Sequence, residues 1–368
     1  MTATRGLSGM RRRTQRPTPM ANTDAPPTVS VVIPHHNYGV YLPASVSSVL
    51  AQQGVSVDVI IVDDASRSEH LDVARQIASH DPRVQLIERR TNGGPVTTFN
   101  AGLEAAQGKY LVRLDADDLL TPGSLERAVC LLEAEPTVGL CYGRPRHFVD
   151  GTSPRPRTKL KSWTIWPGVE WLERRCRSGY NCITSPEVVM RKSVVDAVGG
   201  QRPLRHTHDM EMWMRLAAVS NVGYVKGPDQ ALHREHAASL SAQQVDMVVD
   251  LTERAAAFDV LFEGVGANLK EAARLNSLAR RTLAKEAVWR ACHEYDRGRA
   301  TSPRVAQFIA LSVQLSPEVR DVGLWRRLAS HQMRSKPVNP LAPPQVWRAL
   351  RRRLQDERMR VRWSRNGV

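Results

Sequence analysis

Between Thr28 and Leu132 the chain alternates short apolar, β-branched runs with longer stretches of helical period. Val29-Ser30-Val31-Val32-Ile33 is the first run and stops at Pro34, as a buried strand does. A helical stretch from Tyr41 to Gln53 follows, then a second run, Val57-Asp58-Val59-Ile60-Ile61-Val62, which ends in Asp63-Asp64. A helix around Glu69–His80 leads to a third strand, Val84–Ile87, and Gly93-Gly94-Pro95 opens the next helix, with Pro95 suited to its first turn. The fourth run, Tyr110-Leu111-Val112-Arg113-Leu114, leads straight into Asp115-Ala116-Asp117-Asp118. Thr121-Pro122 then caps a helix carrying Leu125, Val129 and Leu132. Continuous apolar strands alternating with helices predict an α/β, Rossmann-like, mostly parallel sheet covered on both faces.

After Asp150 the pattern loosens. Residues 151–162 are rich in Pro and Lys/Arg and read as a mobile loop, and helix, strand and helix signals resume at 168–176, 186–190 and 209–219. From about 243 to 333 the sequence is Ala-, Leu- and Arg-rich, helical in period and without strand signals. Pro337-Val338-Asn339-Pro340 and Pro343-Pro344 form a linker to a last basic helix with apolar Val346, Trp347, Leu350 and Leu354. The expected organisation is a disordered basic leader (1–27), a catalytic domain (28–241), a helical region (242–335), and a linker with a basic amphipathic helix (336–368).

Charge refines this division. The 368 residues carry a net charge of +15, which would ordinarily suggest nucleic acid. Most of it lies at the ends: residues 1–27 carry +4 and residues 334–368 carry +8, whereas residues 28–241 balance 24 Lys/Arg against 23 acids. A basic folded domain is therefore disfavoured. The leader lacks an apolar stretch after its arginines, so it is not read as a secretory signal, and Met20 is an alternative start. No run of about 18 apolar residues offers a membrane-spanning helix. The five cysteines (Cys130, Cys141, Cys176, Cys182, Cys292) show no C-x-x-C pair and are expected as buried thiols of a cytoplasmic protein.

In an open α/β sheet, ligands bind beyond the carboxyl ends of the strands. Asp63-Asp64 and Asp115-Ala116-Asp117-Asp118 occupy that edge, and five clustered carboxylates call for a neutralising cation. Mg²⁺ or Mn²⁺, which bridges carboxylates to a diphosphate, suits them. The plainer alternative is that these aspartates cap helices and form turns. No G-x-G-x-x-G follows the first strand and no P-loop occurs, so a dinucleotide cofactor is disfavoured.

Val31-Val32-Ile33-Pro34-His35-His36-Asn37-Tyr38, Ile60-Ile61-Val62-Asp63-Asp64-Ala65-Ser66 and Leu114-Asp115-Ala116-Asp117-Asp118 together resemble the ordered signatures of glycosyltransferase family 2. Val198-Gly199-Gly200 followed by His208-Asp209-Met210-Glu211-Met212-Trp213-Met214-Arg215-Leu216 is similar to that family's next stretch. His233-Arg234-Glu235-His236-Ala237-Ala238-Ser239 is similar to its last. The resemblance covers about residues 28–241 and implies the A-type glycosyltransferase fold. It also implies transfer of a sugar from a nucleotide-diphosphate donor to an acceptor hydroxyl, with inversion. By position in the motifs, Asp209 is implied as the general base and Asp117 or Asp118 as the ligand of Mg²⁺ or Mn²⁺. Pro34, Asn37, Asp63 and Asp64 are implied at the nucleobase and ribose, and Asp115 and Ala116 near the ribose and diphosphate. Arg234 and His236 are implied to reach the diphosphate, although His236 reads equally well as a structural histidine. Trp171 and Trp213 read as packing residues. Two departures stand out: His208 replaces the acid that precedes the base, and Thr98-Phe99-Asn100 replaces Ala-Arg-Asn.

Two other readings remain. A nucleotidyltransferase would use similar carboxylates at the sheet edge but release pyrophosphate. A non-catalytic protein would use its basic ends to dock nucleic acid or anionic lipid; the terminal helix, with Arg348, Arg351, Arg352, Arg353, Arg358, Arg360, Arg362 and Arg365 around Trp347 and Trp363, reads first as a solvated basic tail that packs its apolar stripe on the helical region, and alternatively as a helix lying on an anionic membrane surface. Peripheral contact with the inner membrane face is compatible with transfer to a saccharide, a lipid-linked or a small-molecule acceptor.

Overall fold

The computed structural model describes residues 11–20, 25–152, 154–236 and 246–333, with Trp363, Gly367 and Val368. The expected linker and most of the basic terminal helix lie outside the described residues, as does Ala237-Ala238-Ser239. The chain divides into two compact units, residues 1–171 with 182–243 and Gly367, and residues 172–181 with 244–366 and Val368. The second unit thus takes residues 172–181 from the middle of the expected catalytic domain.

The first unit is built on one sheet. β1 (Arg13–Gln15) lies in the expected leader; β2 (Thr28–His35), α1 (Leu42–Leu50), β3 (Ser56–Asp64), α2 (Ser68–His80), β4 (Val84–Arg89), α3 (Gly94–Ala105) and β5 (Tyr110–Arg113) follow the sequence pattern closely. β4, β3, β2 and β5 pair in parallel, with Val31 opposite Val59 and Val112. Val29, Val31, Val32, Ile33, Val59 and Ile61 are all fully buried, because helices cover both faces of this block. α3 sits close against it: a Cβ on Gly102 would fall 2.4 Å from Val32 Cγ1.

Beyond β5 the sheet becomes mixed. The next elements are β6 (Leu119–Leu120), α4 (Ser124–Ala134), β7 (Val138–Val149), β8 (Ser162–Trp166), α5 (Gly168–Ser178), β9 (Val188–Arg191), α6 (Lys192–Val198), α7 (His208–Val219) and β10 (Asn221–Glu235). The strand order is β1-β8-β10-β7-β9-β5-β2-β3-β4, with β6 paired to β10. β9 runs antiparallel to β5 and β7, and β8 antiparallel to β10.

The part of the leader that is described, residues 11–20 and 25–27, corrects the expectation of disorder in one place, β1. β1 pairs antiparallel with β8, Arg12 lies 4.9 Å over the Trp166 ring, and Arg13 and Gln15 both bond Glu135. Leader arginines thus have partners on the edge of the sheet, which short sequence windows do not reveal.

The second unit includes α8 (Met247–Glu263), α9 (Ala272–Asp296), α10 (Pro303–Leu315) and α11 (Gly323–Gln332). Its interior holds Phe258, Leu261, Leu275, Leu283, Phe308 and Leu328, with a buried Arg254 bonded to Asp250, Glu286 and the Gly179 carbonyl. Among the described residues, no helix is long and apolar enough to cross a membrane. The five cysteines form no disulfide.

Candidate active site

The carboxyl ends of β2, β3 and β5, the start of α7 and the end of β10 supply the candidate site. Pairing of β6 with β10 is what assembles its lower rim. Leu119 lies opposite Leu232 and Leu120 opposite Ala231, so His233–His236 emerge beside the Asp115–Asp118 turn. That turn is closed by the Asp118 amide, which donates to the Asp115 carbonyl at 3.0 Å.

The four residues of the turn face different ways. Asp115 is the most exposed, its side chain 34% accessible, and it pairs with Arg113 at 2.9 Å. Ala116 is buried and packs its methyl in the core, so it offers its backbone rather than a side chain to the site. Asp117 accepts from His236 Nε2 at 2.8 Å. Burial and then Asp115 raise its pKa above the ordinary range. Asp118 is wholly buried, with Oδ2 held by His233 Nδ1 at 3.0 Å and Oδ1 by the Arg234 amide at 2.8 Å. Both its oxygens are engaged by β10, so Asp118 anchors the turn. Burial opposes a charge on His233, but Asp118 raises it to about 9, which makes the contact an ion pair at neutral pH.

Arg234 locks the same corner. Its Nε donates to the Asp117 carbonyl at 2.8 Å, its fork holds Asp150, and its guanidinium lies 4.7 Å over Tyr41 and 4.6 Å over Phe148. His236 is flanked by Tyr38 and Tyr41, ring centroids 5.7 and 5.1 Å away. Tyr38 is pushed up to about 12, first by burial and then by Asp117 and Asp115. Tyr38 and His233 stand in the quoted motif runs without a role assigned to them, and Tyr41 lies outside those runs. The alternation of apolar and aromatic residues at 38–42 looks like the start of a helix, and only tertiary structure brings it to the carboxylates.

The upper rim is formed by Asp63, Asp64 and Asn37. Asp63 is held by His35 Nδ1 at 2.9 Å and by the Ser66 amide at 3.0 Å. Burial alone would raise its pKa, but these bonds bring it below the ordinary value. Asp64 accepts from the Gly93 and Gly94 amides at 2.9 and 2.8 Å and from Arg89. Asn37 adopts a left-handed φ of 60°, which Asn tolerates. Its amide donates to Ser66 Oγ and its side chain accepts from the Arg67 amide, both at 2.9 Å. The polar atoms of Asp63, Asp64 and Asn37 fasten loops together; half-buried Pro34 lies inside β2 opposite Val62, and the strand expected to stop there continues through His35 opposite Asp63.

Asp209 lies in the first turn of α7, half-buried, its Oδ1 accepting from the Met210 amide at 2.6 Å. Burial raises it to about 6, Arg113 pulls it back and Asp115 raises it again. The residue before it, His208, bonds Arg113, which pairs with Asp115, and this links the start of α7 to the aspartate turn. Two residues on, Glu211 is bonded to Arg215, whose fork also holds the carbonyls of Val198, Gly199 and Gly200 at 2.6–2.9 Å. The Gly-Gly turn and the arginine of α7 are thus one structural unit. Asn100 clamps the next residue, its side chain bonding both the amide and the carbonyl of Gln201 at 2.8 and 2.9 Å. Trp171 and Trp213 are buried as packing residues.

The chain was compared with known proteins. Residues 30–199 match the model of glycosyl transferase family 2. A putative glycosyltransferase of Bacillus subtilis, EpsE, is 30% identical over 205 residues, which cover 54% of this chain and 69% of EpsE. The chain belongs to glycosyltransferase family 2. An uncharacterised glycosyltransferase of Haemophilus influenzae is 26% identical over 56% of this chain and 64% of its own length, and another from the same organism is 36% identical over 27% and 40%. This family member thus spans less than two thirds of several relatives. Among solved structures, Staphylococcus aureus TarS 1-349 in complex with UDP-GlcNAc superposes with a TM-score of 0.60 at 16% identity, covering 83% of this chain and 87% of TarS 1-349. The mannosyltransferase PcManGT from Pyrobaculum calidifontis, in complex with GDP-Man and Mn²⁺, gives 0.50 at 18%, over 86% and 89%. At these identities the likeness is one of fold, the A-type glycosyltransferase fold. The family match ends before Asp209, so it includes the aspartate turn and not the start of α7.

Proposed function

We propose that this chain is an inverting, cation-assisted glycosyltransferase that uses a nucleotide-diphosphate sugar. The observation that carries the reading is the joining of three parts at one edge of the sheet: an aspartate turn, a pair of cationic side chains at the end of β10, and a half-buried carboxyl in the first turn of α7. The complexes of TarS 1-349 with UDP-GlcNAc and of PcManGT with GDP-Man and Mn²⁺ support a donor of this class on this fold.

The residues fit a divalent cation of the kind that binds few protein ligands. Among the described residues no three His, Cys, Asp or Glu side chains converge on a preformed cage. Mg²⁺ and Mn²⁺ bind through one or two carboxylates and complete their shell with phosphate oxygens and water. Asp117 would hold the cation, with Asp115 exposed beside it. When bound, the cation would supply charge stabilisation for the departing diphosphate.

The chain's own residues do the rest. Asp209 accepts the proton of the acceptor hydroxyl as its oxygen attacks the anomeric carbon; the bond from that carbon to the diphosphate oxygen breaks, and the nucleoside diphosphate leaves. A carboxyl raised to about 6 remains ionised at neutral pH yet binds a proton better than an exposed aspartate, as a general base should. Arg234, already fixed by Asp150 and two aromatic rings, presents its charge beside Asp117 without further ordering.

Incubation with UDP-N-acetylglucosamine, UDP-glucose and GDP-mannose, with Mn²⁺ or with chelator, tests this reading. It expects release of nucleoside diphosphate only with the cation, and loss of that release in Asp117→Asn. Pyrophosphate as the product would point instead to nucleotidyl transfer.

A further inference from the structure

Arg113 ends β5 with only 5% of its surface exposed. One arm of its fork pairs with Asp115 at 2.9 Å, and the other reaches His208 Nε2 at 3.1 Å and Ser185 Oγ at 3.4 Å. Arginine can only donate, so His208 Nε2 is the acceptor and the ring is neutral, with its proton on Nδ1. Burial, and next to it Arg113, push His208 down to about 3, which agrees. A buried cation with a single carboxylate partner is a poor stabiliser. This one bridges the aspartate turn to the first residue of α7, immediately before Asp209.

We infer that Arg113 is a positioning residue for transfer: paired with Asp115 and bonded to His208, it holds the start of α7, and with it Asp209, in register with the aspartate turn. The inference rests on Asp209 being the base. Arg113 from β5 and Asp115 from the turn both act on Asp209, and its own helix contributes the neutral His208 ring and the Met210 amide. His208 is also where this chain departs from the acid expected before the base. An acid there would take up the charge of Arg113 and place a second negative group beside Asp209. A neutral imidazole takes the hydrogen bond and leaves the positive charge to act on the base.

The test combines nucleoside diphosphate release from the three donors above with ¹⁵N NMR of histidine-labelled protein. In the native chain His208 should remain neutral down to about pH 4, with Nε2 as acceptor, and in Arg113→Lys its resonances should shift. Arg113→Gln should lose about 100-fold in kcat, the scale of a misplaced catalytic group, and its acidic pH limb should move upward while UDP or GDP binding with Mn²⁺ is kept. Arg113→Lys should keep the limb in place but lower kcat. His208→Leu should lower kcat, and His208→Gln, whose amide oxygen accepts the same hydrogen bond, should restore much of it. Native kcat in both Arg113→Gln and His208→Leu would overturn the inference. So would loss of kcat with an unmoved limb and no recovery in His208→Gln, because that pattern marks packing alone. If Arg113→Gln does not fold, Arg113→Lys and the two His208 variants decide. Asp209→Asn separates the two levels: activity in that variant refutes the base, whereas the NMR result bears on the Arg113–His208 pair even if no donor is turned over.

Discussion

Asp209 sits where its ionised form is disfavoured, and this has a cost that can be measured apart from catalysis. Burial raises its pKa from 3.8 to about 6. The folded state therefore binds the proton more tightly than the unfolded state, and stability falls as pH rises from about 4 to about 6. Above that window the ionised carboxyl costs the fold on the order of 1–3 kcal/mol. Asp209→Asn removes the charge while keeping the shape, so it should melt higher than the native chain at pH 8, and the difference should vanish at pH 4. Thermal melts at the two pH values read this directly; a lower melting temperature at pH 8 would contradict it. Ala65 offers a second residue-scale test. Its φ of 56° is a left-handed conformation that alanine adopts at a cost, and glycine adopts freely. Ala65→Gly should be neutral or stabilising by up to about 1 kcal/mol in denaturant unfolding, despite glycine's greater freedom when unfolded.

At the scale of elements, α7 is placed by a buried fork. Glu211 and Arg215 are both nearly inaccessible, and Arg215 carries the carbonyls of the Gly-Gly turn as well. Removing one partner of a buried, fully bonded pair leaves the other charge uncompensated, at about 3–5 kcal/mol. Arg215→Met should lower the denaturant midpoint accordingly, and Glu211→Gln should cost less because the amide still accepts. The sequence carried the parallel block and the start of α3 well, since continuous β-branched runs and a Gly-Pro opening are local signals; at α4 the expected Thr121-Pro122 cap is displaced, the helix starting at Ser124 after Gly123. It did not carry the other half. β1 and β8 are short edge partners, β7 runs through Pro145, and β10 is interrupted by Gly227-Pro228, so none shows a clean period. The same limit applies to the site. Aspartates after strands were legible as a cluster, but which of them face inward depends on partners more than 100 residues away, such as His233 for Asp118 and His236 for Asp117. Arg113 looked like one polar residue in a strand, and its importance emerges only from what it joins.

Across the whole chain, the basic ends play separate parts. The N-terminal arginines complete the sheet edge through Trp166 and Glu135. A chain lacking residues 1–20 should lose these contacts and the packing of Met20 on the core, and should melt lower without losing donor binding. The arginines beyond Pro340 have the composition of an anionic-surface helix. Flotation with phosphatidylglycerol vesicles should retain the full chain and lose the chain truncated after Pro340; equal binding by both would assign any membrane contact elsewhere. The central claim concerns neither end but the carboxyl in α7. It is tested most directly by single-turnover release of nucleoside diphosphate, with Mn²⁺ and the preferred donor, by the native chain and by Asp209→Asn. The account predicts that the variant binds UDP or GDP as tightly as the native chain yet releases product at least about 1,000-fold more slowly. Release at the native rate would contradict it.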